Sequence, residues 1–145
     1  MQVINRVLDV NPYEIFLEVC LNNSQVIADE QLLIAIKNKL ALAYSNLGIA
    51  LYKQKSYKQA AMNFQKALDI KPNFENHELA ELKFNLGIAS VMQSKFDQAV
   101  NYFTETLELE PTWKNAYYQL VKAKYELNNL SKGYQFTQDW FGRNS

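Results

Sequence analysis

The chain has 145 residues, about one domain's worth, and its fifteen Lys and Arg are balanced by fifteen Asp and Glu, so no net field favours a polyanion such as nucleic acid. Apolar residues make up 48%, too many for a disordered chain. Four Gly and three Pro, against roughly 12% in average usage, leave little for the turns of a β fold or for a phosphate-cradling loop.

One cysteine, Cys20, excludes an internal disulfide, and with the single His77 it cannot supply the four ligands of a structural zinc site. No metal or other cofactor is expected. The chain reads as a single all-α domain over 1–145. Residues 1–28 read as an N-terminal helical cover. Within them Pro12–Leu21 carries Ile15, Phe16, Val19 and Cys20 and ends at Asn22-Asn23-Ser24. Cys20 reads there as a small buried hydrophobe. Asp9, Glu14 and Glu18 break the apolar stretch, unlike a signal or transit peptide. No apolar run approaches the roughly 20 residues of a membrane span. A reducing interior, the cytoplasm or an organelle stroma, is expected.

From an N-cap at Asp29, the residues Leu32, Leu33, Ile36, Leu40, Ala43, Tyr44, Leu47 and Leu51 recur at three- and four-residue steps without Pro and with no Gly before Gly48. A long helix follows. Self-similarity then begins. Asn46-Leu47-Gly48-Ile49-Ala50 returns 39 residues later as Asn85-Leu86-Gly87-Ile88-Ala89. Tyr57, Ala60, Phe64, Leu68 and Pro72 return as Phe96, Ala99, Phe103, Leu107 and Pro111. A fading third copy follows at 34: Leu86 to Leu120, Ala89 to Ala123, Ala99 to Gly133. The echo of Ala67–Pro72 in Val7–Pro12 suggests the tail of a degenerate earlier copy. Gly inside a helix costs roughly 1 kcal/mol relative to Ala, a cost that makes sense where a partner helix must approach closely. Ala60, Ala99 and Gly133 are the small residues expected on that partner.

These residues resemble the tetratricopeptide repeat, a 34-residue helix–turn–helix with the pattern Trp-x2-Leu-Gly-x2-Tyr, Ala-x3-Phe and a closing Pro. The resemblance implies an α-α superhelical solenoid. The first unit is 29–74 with an extended first helix, its core copy being 41–74. The second is 75–113, where Glu75-Asn76-His77-Glu78-Leu79 is a five-residue insertion lengthening the first helix; Lys83 and Ser90 depart from the pattern. The third is a degenerate unit, 114–145, with Tyr117 and Leu120 in place but Val121 for Gly, Thr137 for Phe and no Pro. Its second helix carries Tyr134, Phe136, Trp140 and Phe141. Trp140, where a small Ala is usual, either folds back as a lid or joins a two-fold contact with Tyr134 and Phe141 as a self-association surface.

The resemblance also implies a non-catalytic protein–protein interaction module, with a partner's peptide or helix held in a concave groove lined by the first helices. The groove stripe is Leu42, Ser45, Asn46, Ile49, Tyr52 and Lys53, then Glu81, Phe84, Asn85, Ile88, Val91 and Met92. It continues with Asn115, Tyr118, Gln119, Lys122, Tyr125 and Glu126. Either a partner fills it, or the N-terminal helix covers Phe84, Ile88 and Met92. Asn46 and Asn85 are suited to hydrogen-bond a ligand backbone. The carboxylate clamp of co-chaperones for Hsp70 and Hsp90 is rejected, because Ser45, Ile49, Asn115 and Gln119 stand where Lys, Asn, Lys and Arg are needed. The only histidine has no Ser or Cys partner in a recognisable catalytic order, and no P-loop is present. Glu105, Glu108 and Glu110 read as a solvated face. Lys53, Lys55, Lys58 and Lys66 are followed by acids, so no basic stripe for RNA persists. A scaffold that self-associates remains an alternative. So does an assembly factor for a bacterial or organellar membrane complex, such as a photosystem or secretion system, since thirteen Lys to two Arg is the usage of AT-rich genomes.

Overall fold

The computed structural model describes residues 12–22 and 30–144. Among them are six helices: α1 Pro12–Asn22, α2 Glu30–Lys53, α3 Tyr57–Asp69, α4 Asn76–Met92, α5 Phe96–Leu109 and α6 Lys114–Asn144. Asp29, the segment Val7–Asn11 and the side chain of Cys20 lie outside the described residues. α2 pairs with α3 and α4 with α5, while α3 stacks on α4 and α5 on α6, so the chain is an all-α repeat solenoid. No described helix is long and apolar enough to cross a membrane.

Each pair is closed by one contact. A Cβ built on Gly48 would lie 2.6 Å from Cε1 of Phe64, and one on Gly87 would lie 2.5 Å from Cε1 of Phe103. The ring of the second helix therefore fills the space that a side chain on the first would take. Phe64 and Phe103 are almost fully buried, as are Ala60 and Ala99 one turn before them. Burying a Phe contributes roughly 1.5–3 kcal/mol, which outweighs the roughly 1 kcal/mol that Gly costs the helix. The ring, more than the Ala, is what the glycine admits.

The turns of the two pairs are also copies. Ser56 N–H donates to Leu51 O and Lys95 N–H to Ser90 O, both at 2.9 Å, the six-residue closure of a helix C-terminus. That closure needs a left-handed residue, supplied by Lys55 (φ 62°) and Ser94 (φ 58°). Neither is Gly, so each turn stores roughly 1–2 kcal/mol that the packed pair must offset.

The departures in the second unit have local causes. Lys83, in the place of Tyr44, forms an ion pair with Glu105 on α5. Glu105 is thus not merely part of a solvated face. Buried Ser90, in the place of Leu51, donates its hydroxyl to Leu86 O at 2.8 Å, so no polar atom is stranded. The inserted residues lengthen the first helix, since α4 begins at Asn76, four residues before the repeat proper. Glu75 and Glu78 close its N-terminus as a capping box, with Glu75 N–H donating to Glu78 Oε2 at 3.1 Å. The extension of α2 is anchored differently. The Asn38 amide accepts from Asn73 N–H at 2.8 Å and donates to Asn73 O at 3.3 Å, clipping α2 to the loop between units.

The third unit corrects the sequence expectation. Residues 114–144 are a single continuous helix of 31 residues, not a helix–turn–helix. Val121 stands in the glycine position and Thr137 in that of the ring, so the contact that closes the first two pairs has no counterpart. Asn128 occupies the left-handed turn position and suits it better than Lys55 or Ser94, yet the helix runs through it. Trp140 accordingly does not fold back as a lid; it lies half-exposed on the rod.

Leu82, 2% exposed, packs the extended α4 into the first core together with Leu40, Phe64 and Leu86. Leu82→Ala is expected to cost roughly 2–5 kcal/mol, as buried leucines do. A denaturant midpoint that stays put at unchanged slope would contradict the packed α4 described here.

Candidate protein-binding groove

The first helices, α2, α4 and the start of α6, share one side of the solenoid. Leu42, Ser45, Asn46 and Ile49 of α2 face Glu78, Glu81, Leu82 and Asn85 of α4 across a depression of about 150 Å³, with Phe74 also in its wall. A second hollow of about 80 Å³ continues it between Ile49, Tyr52, Phe64, Asn85 and Ile88. The two share Ile49 and Asn85. The stripe read from sequence is thus brought together at Asn46, Ile49, Tyr52, Asn85 and Ile88. Tyr52 is held edge-on against Tyr57, ring centroids 5.3 Å apart, which fixes its orientation. Lys53 and Met92 stand exposed at the far end of their helices, and Glu78 and Glu81 at the near end. The surface along these first helices therefore grades from acid, through the amides and aliphatics of the two hollows, to the exposed Lys53 beyond them.

On α6, Tyr118, Lys122 and Tyr125 are exposed and Gln119 is half-buried, one stripe at three- and four-residue steps. Tyr134, Trp140 and Phe141 lie on the exposed distal half of the same helix, away from the two hollows.

Phe84 is put to another use than the groove. It stacks on Trp113 with ring centroids 4.7 Å apart and packs against Phe103 at 5.6 Å. Trp113 was readable in the sequence: it follows Pro111 by two residues, as Phe74 follows Pro72. At that shared position both aromatics enter the joint between successive first helices, Phe74 beside Ser45 and Trp113 on Phe84. The bulk that repeat one places in the loop residue alone is shared in repeat two with Phe84. His77 lies tilted over Trp113 at 6.3 Å, with its Nδ1 3.9 Å from Glu110.

The N-terminal helix does not take the groove. Leu17 of α1 packs on the first core, and Glu14, Leu17 and Glu18 bound a hollow of about 380 Å³ with Leu40, Tyr44, Lys66, Asp69 and Ile70. α1 thus sits at the outer end of the first pair, where a preceding unit would stack. What covers Phe84 is Trp113.

Residues 39–110 match the family model described as tetratricopeptide repeat. The chain belongs to the tetratricopeptide repeat family. No curated protein matched as a relative. Tetratricopeptide repeats form protein–protein interaction modules in general. Between the second helices, burial raises the Tyr102 phenol above its ordinary range, with Glu105 and Asp69 adding to the effect. It stays a neutral donor toward Gln65 Oε1 at 3.3 Å. Among the described residues no group of three or more His, Cys, Asp or Glu could hold a metal ion.

Trp113→Ala should remove the stack over Phe84 and lower stability by roughly 1–3 kcal/mol, through lost burial and ring contact. A thermal melt superimposable on the wild type would show that the stack is incidental.

Proposed function

We propose that the chain is a non-catalytic adaptor, scaffold or assembly chaperone that holds a peptide or helix of a partner protein along the first helices. The observation that carries this is the pair of hollows meeting at Ile49 and Asn85. An apolar side chain of the partner sits between Ile49 and Ile88. Asn46 and Asn85 hydrogen-bond its backbone, giving affinity without a strict demand on sequence. Glu78 and Glu81 favour a basic residue toward the start of α4, while Lys53 and Lys122 favour an acid at the other end. Tyr118 and Tyr125, both exposed, extend the contact onto α6 as the aromatic anchors that commonly dominate interfaces. Ser45, Ile49, Asn115 and Gln119 leave no cations for a C-terminal carboxylate, so the partner is not held as Hsp70 or Hsp90 tails are.

The test is to recover bound proteins with the full chain, map the bound segment with overlapping peptides, and titrate that peptide against variants. Asn85→Ala with Tyr118→Ala should weaken it by about 2 kcal/mol, or about thirtyfold, with helicity unchanged. An unchanged affinity in the folded double variant would move the site off this face.

A further inference from the structure

α6 outruns the helix it packs on. α5 has 14 residues and α6 has 31, and a short loop joins them, so they run antiparallel from that loop. Ala116 and Ala123 of α6 are buried, Leu120 packs on the core around Phe103, and Leu127 is half-buried. From Asn128 to Arg143 every residue is exposed, a projection of about 24 Å at 1.5 Å per residue. The apolar face does not stop where the cover does. From Ala116, Leu120, Ala123 and Leu127 the same four-and-three step continues without a break to Leu130, Tyr134, Thr137 and Phe141. These are the a and d positions of a heptad pattern, and they share one face of the helix. The first four are covered by the solenoid; the last four stand in solvent, Tyr134 67% and Phe141 66% exposed.

The chemistry of the projecting stripe suits an uncharged cover. No Asp, Glu, Lys or Arg falls on it or on its flanks, while Lys132 and Asp139 take the opposite side of the helix. Thr137 already donates its hydroxyl to Tyr134 O at 2.8 Å, so covering it strands no donor. The pattern also selects the occupant, because the stripe is complementary to itself. Laid antiparallel on a second copy about an axis between Gln135 and Phe136, Leu130 meets Phe141 and Tyr134 meets Thr137. Every layer then sets a ring against a smaller side chain. Gly133 and Trp140 flank the stripe on one side, and the same register lays each Trp140 over the other copy's Gly133. A Cβ there would meet nothing within 4 Å, so the space is open to a large ring. The lengths agree as well. The tip of each projection at Asn144 reaches Leu127 of the other copy, so the two solenoids stand at opposite ends. Each distal half extends the line of the other's α5, continuing an interface that α6 already makes.

We propose that the chain forms an antiparallel homodimer through residues 130–141 of α6, with the two solenoids at its ends. Covering Leu130 and the three aromatics Tyr134, Trp140 and Phe141 of both copies removes roughly 1,000 Å² from water, the size at which a specific interface begins. Tyr118, Lys122 and Tyr125 lie about a third of a turn around the helix from the stripe. The dimer therefore carries two open grooves and does not depend on what fills them.

Sedimentation of the full chain and a cross-link test this together. The wild type should sediment at twice the chain mass. Tyr134→Asp, at an exposed position of the single chain, should weaken the dimer at least about a hundredfold, because the two-fold axis buries the charge twice. Val121→Asp, on the far side of the rod, should leave it unchanged. For the register, Leu130→Cys and Phe141→Cys are made in separate chains, each in a Cys20→Ser background. Mixed, they should be joined by a short bismaleimide. Alone, neither should be, because like residues lie about 16 Å apart along the axis. Four results would overturn the proposal: a single-chain mass at all concentrations, a dimer indifferent to Tyr134→Asp, a dimer dissolved by Val121→Asp, or a cross-link in either variant alone that matches the mixture.

Discussion

The fold depends on a ring placed where a side chain cannot be. Phe64 and Phe103 occupy the volume that a Cβ on Gly48 or Gly87 would fill. The distance between the two helices of each pair is therefore set by the thickness of a phenyl ring against bare backbone. That closeness buries the small Ala60 and Ala99 beside the ring and brings the helix ends near enough for a tight turn. The turns themselves are unfavourable, with Lys55 and Ser94 left-handed. They persist because ring burial outweighs both the glycine and the turn.

The third unit shows what happens without that contact. Asn128 is a better left-handed residue than either turn residue above it, and the helix still runs straight through. Local turn preference is the weaker term. Extending a helix adds a backbone hydrogen bond per residue, and only a packed partner makes interrupting it favourable. Removing the ring and the gap together converts a hairpin into a rod. That leaves three first helices to line the groove but only two second helices behind them, with α1 stacked at the opposite end on Leu40 and Tyr44.

Much of this was legible in the sequence. The 39-residue offset, the lengthened α2 and α4 and the helix expected over Pro12–Leu21 followed from the pattern of apolar residues, since helical spacing reports a buried face directly, and the family followed from the resemblance of the repeated residues to the tetratricopeptide pattern. The role of Gly48 and Gly87 was legible as well, but its partner was assigned to Ala60 and Ala99. Sequence spacing identifies which residues share a face, not which one projects farthest across it. Phe84 was placed in the groove because its position is a groove position. Trp113, one joint away, draws it into a stack, and such a contact across 29 residues leaves no periodic trace. The hairpin expected after 114 failed for a different reason. Its substitutions were visible, but each was weighed as a local departure, whereas Val121 and Thr137 belong to one contact and are lost as one.

The central claim, that the ring and the missing Cβ form a single interaction, is tested most directly by a double-mutant cycle at Gly87 and Phe103. Gly87→Ala alone should destabilise the chain even though Ala is the better helix former. Phe103→Val removes the ring atoms nearest the added Cβ. In that background Gly87→Ala should become neutral or stabilising by up to about 1 kcal/mol, the helix-propensity gain of Ala over Gly. If Gly87→Ala costs the same with and without the ring, the two residues are uncoupled and the account of how these pairs close is wrong.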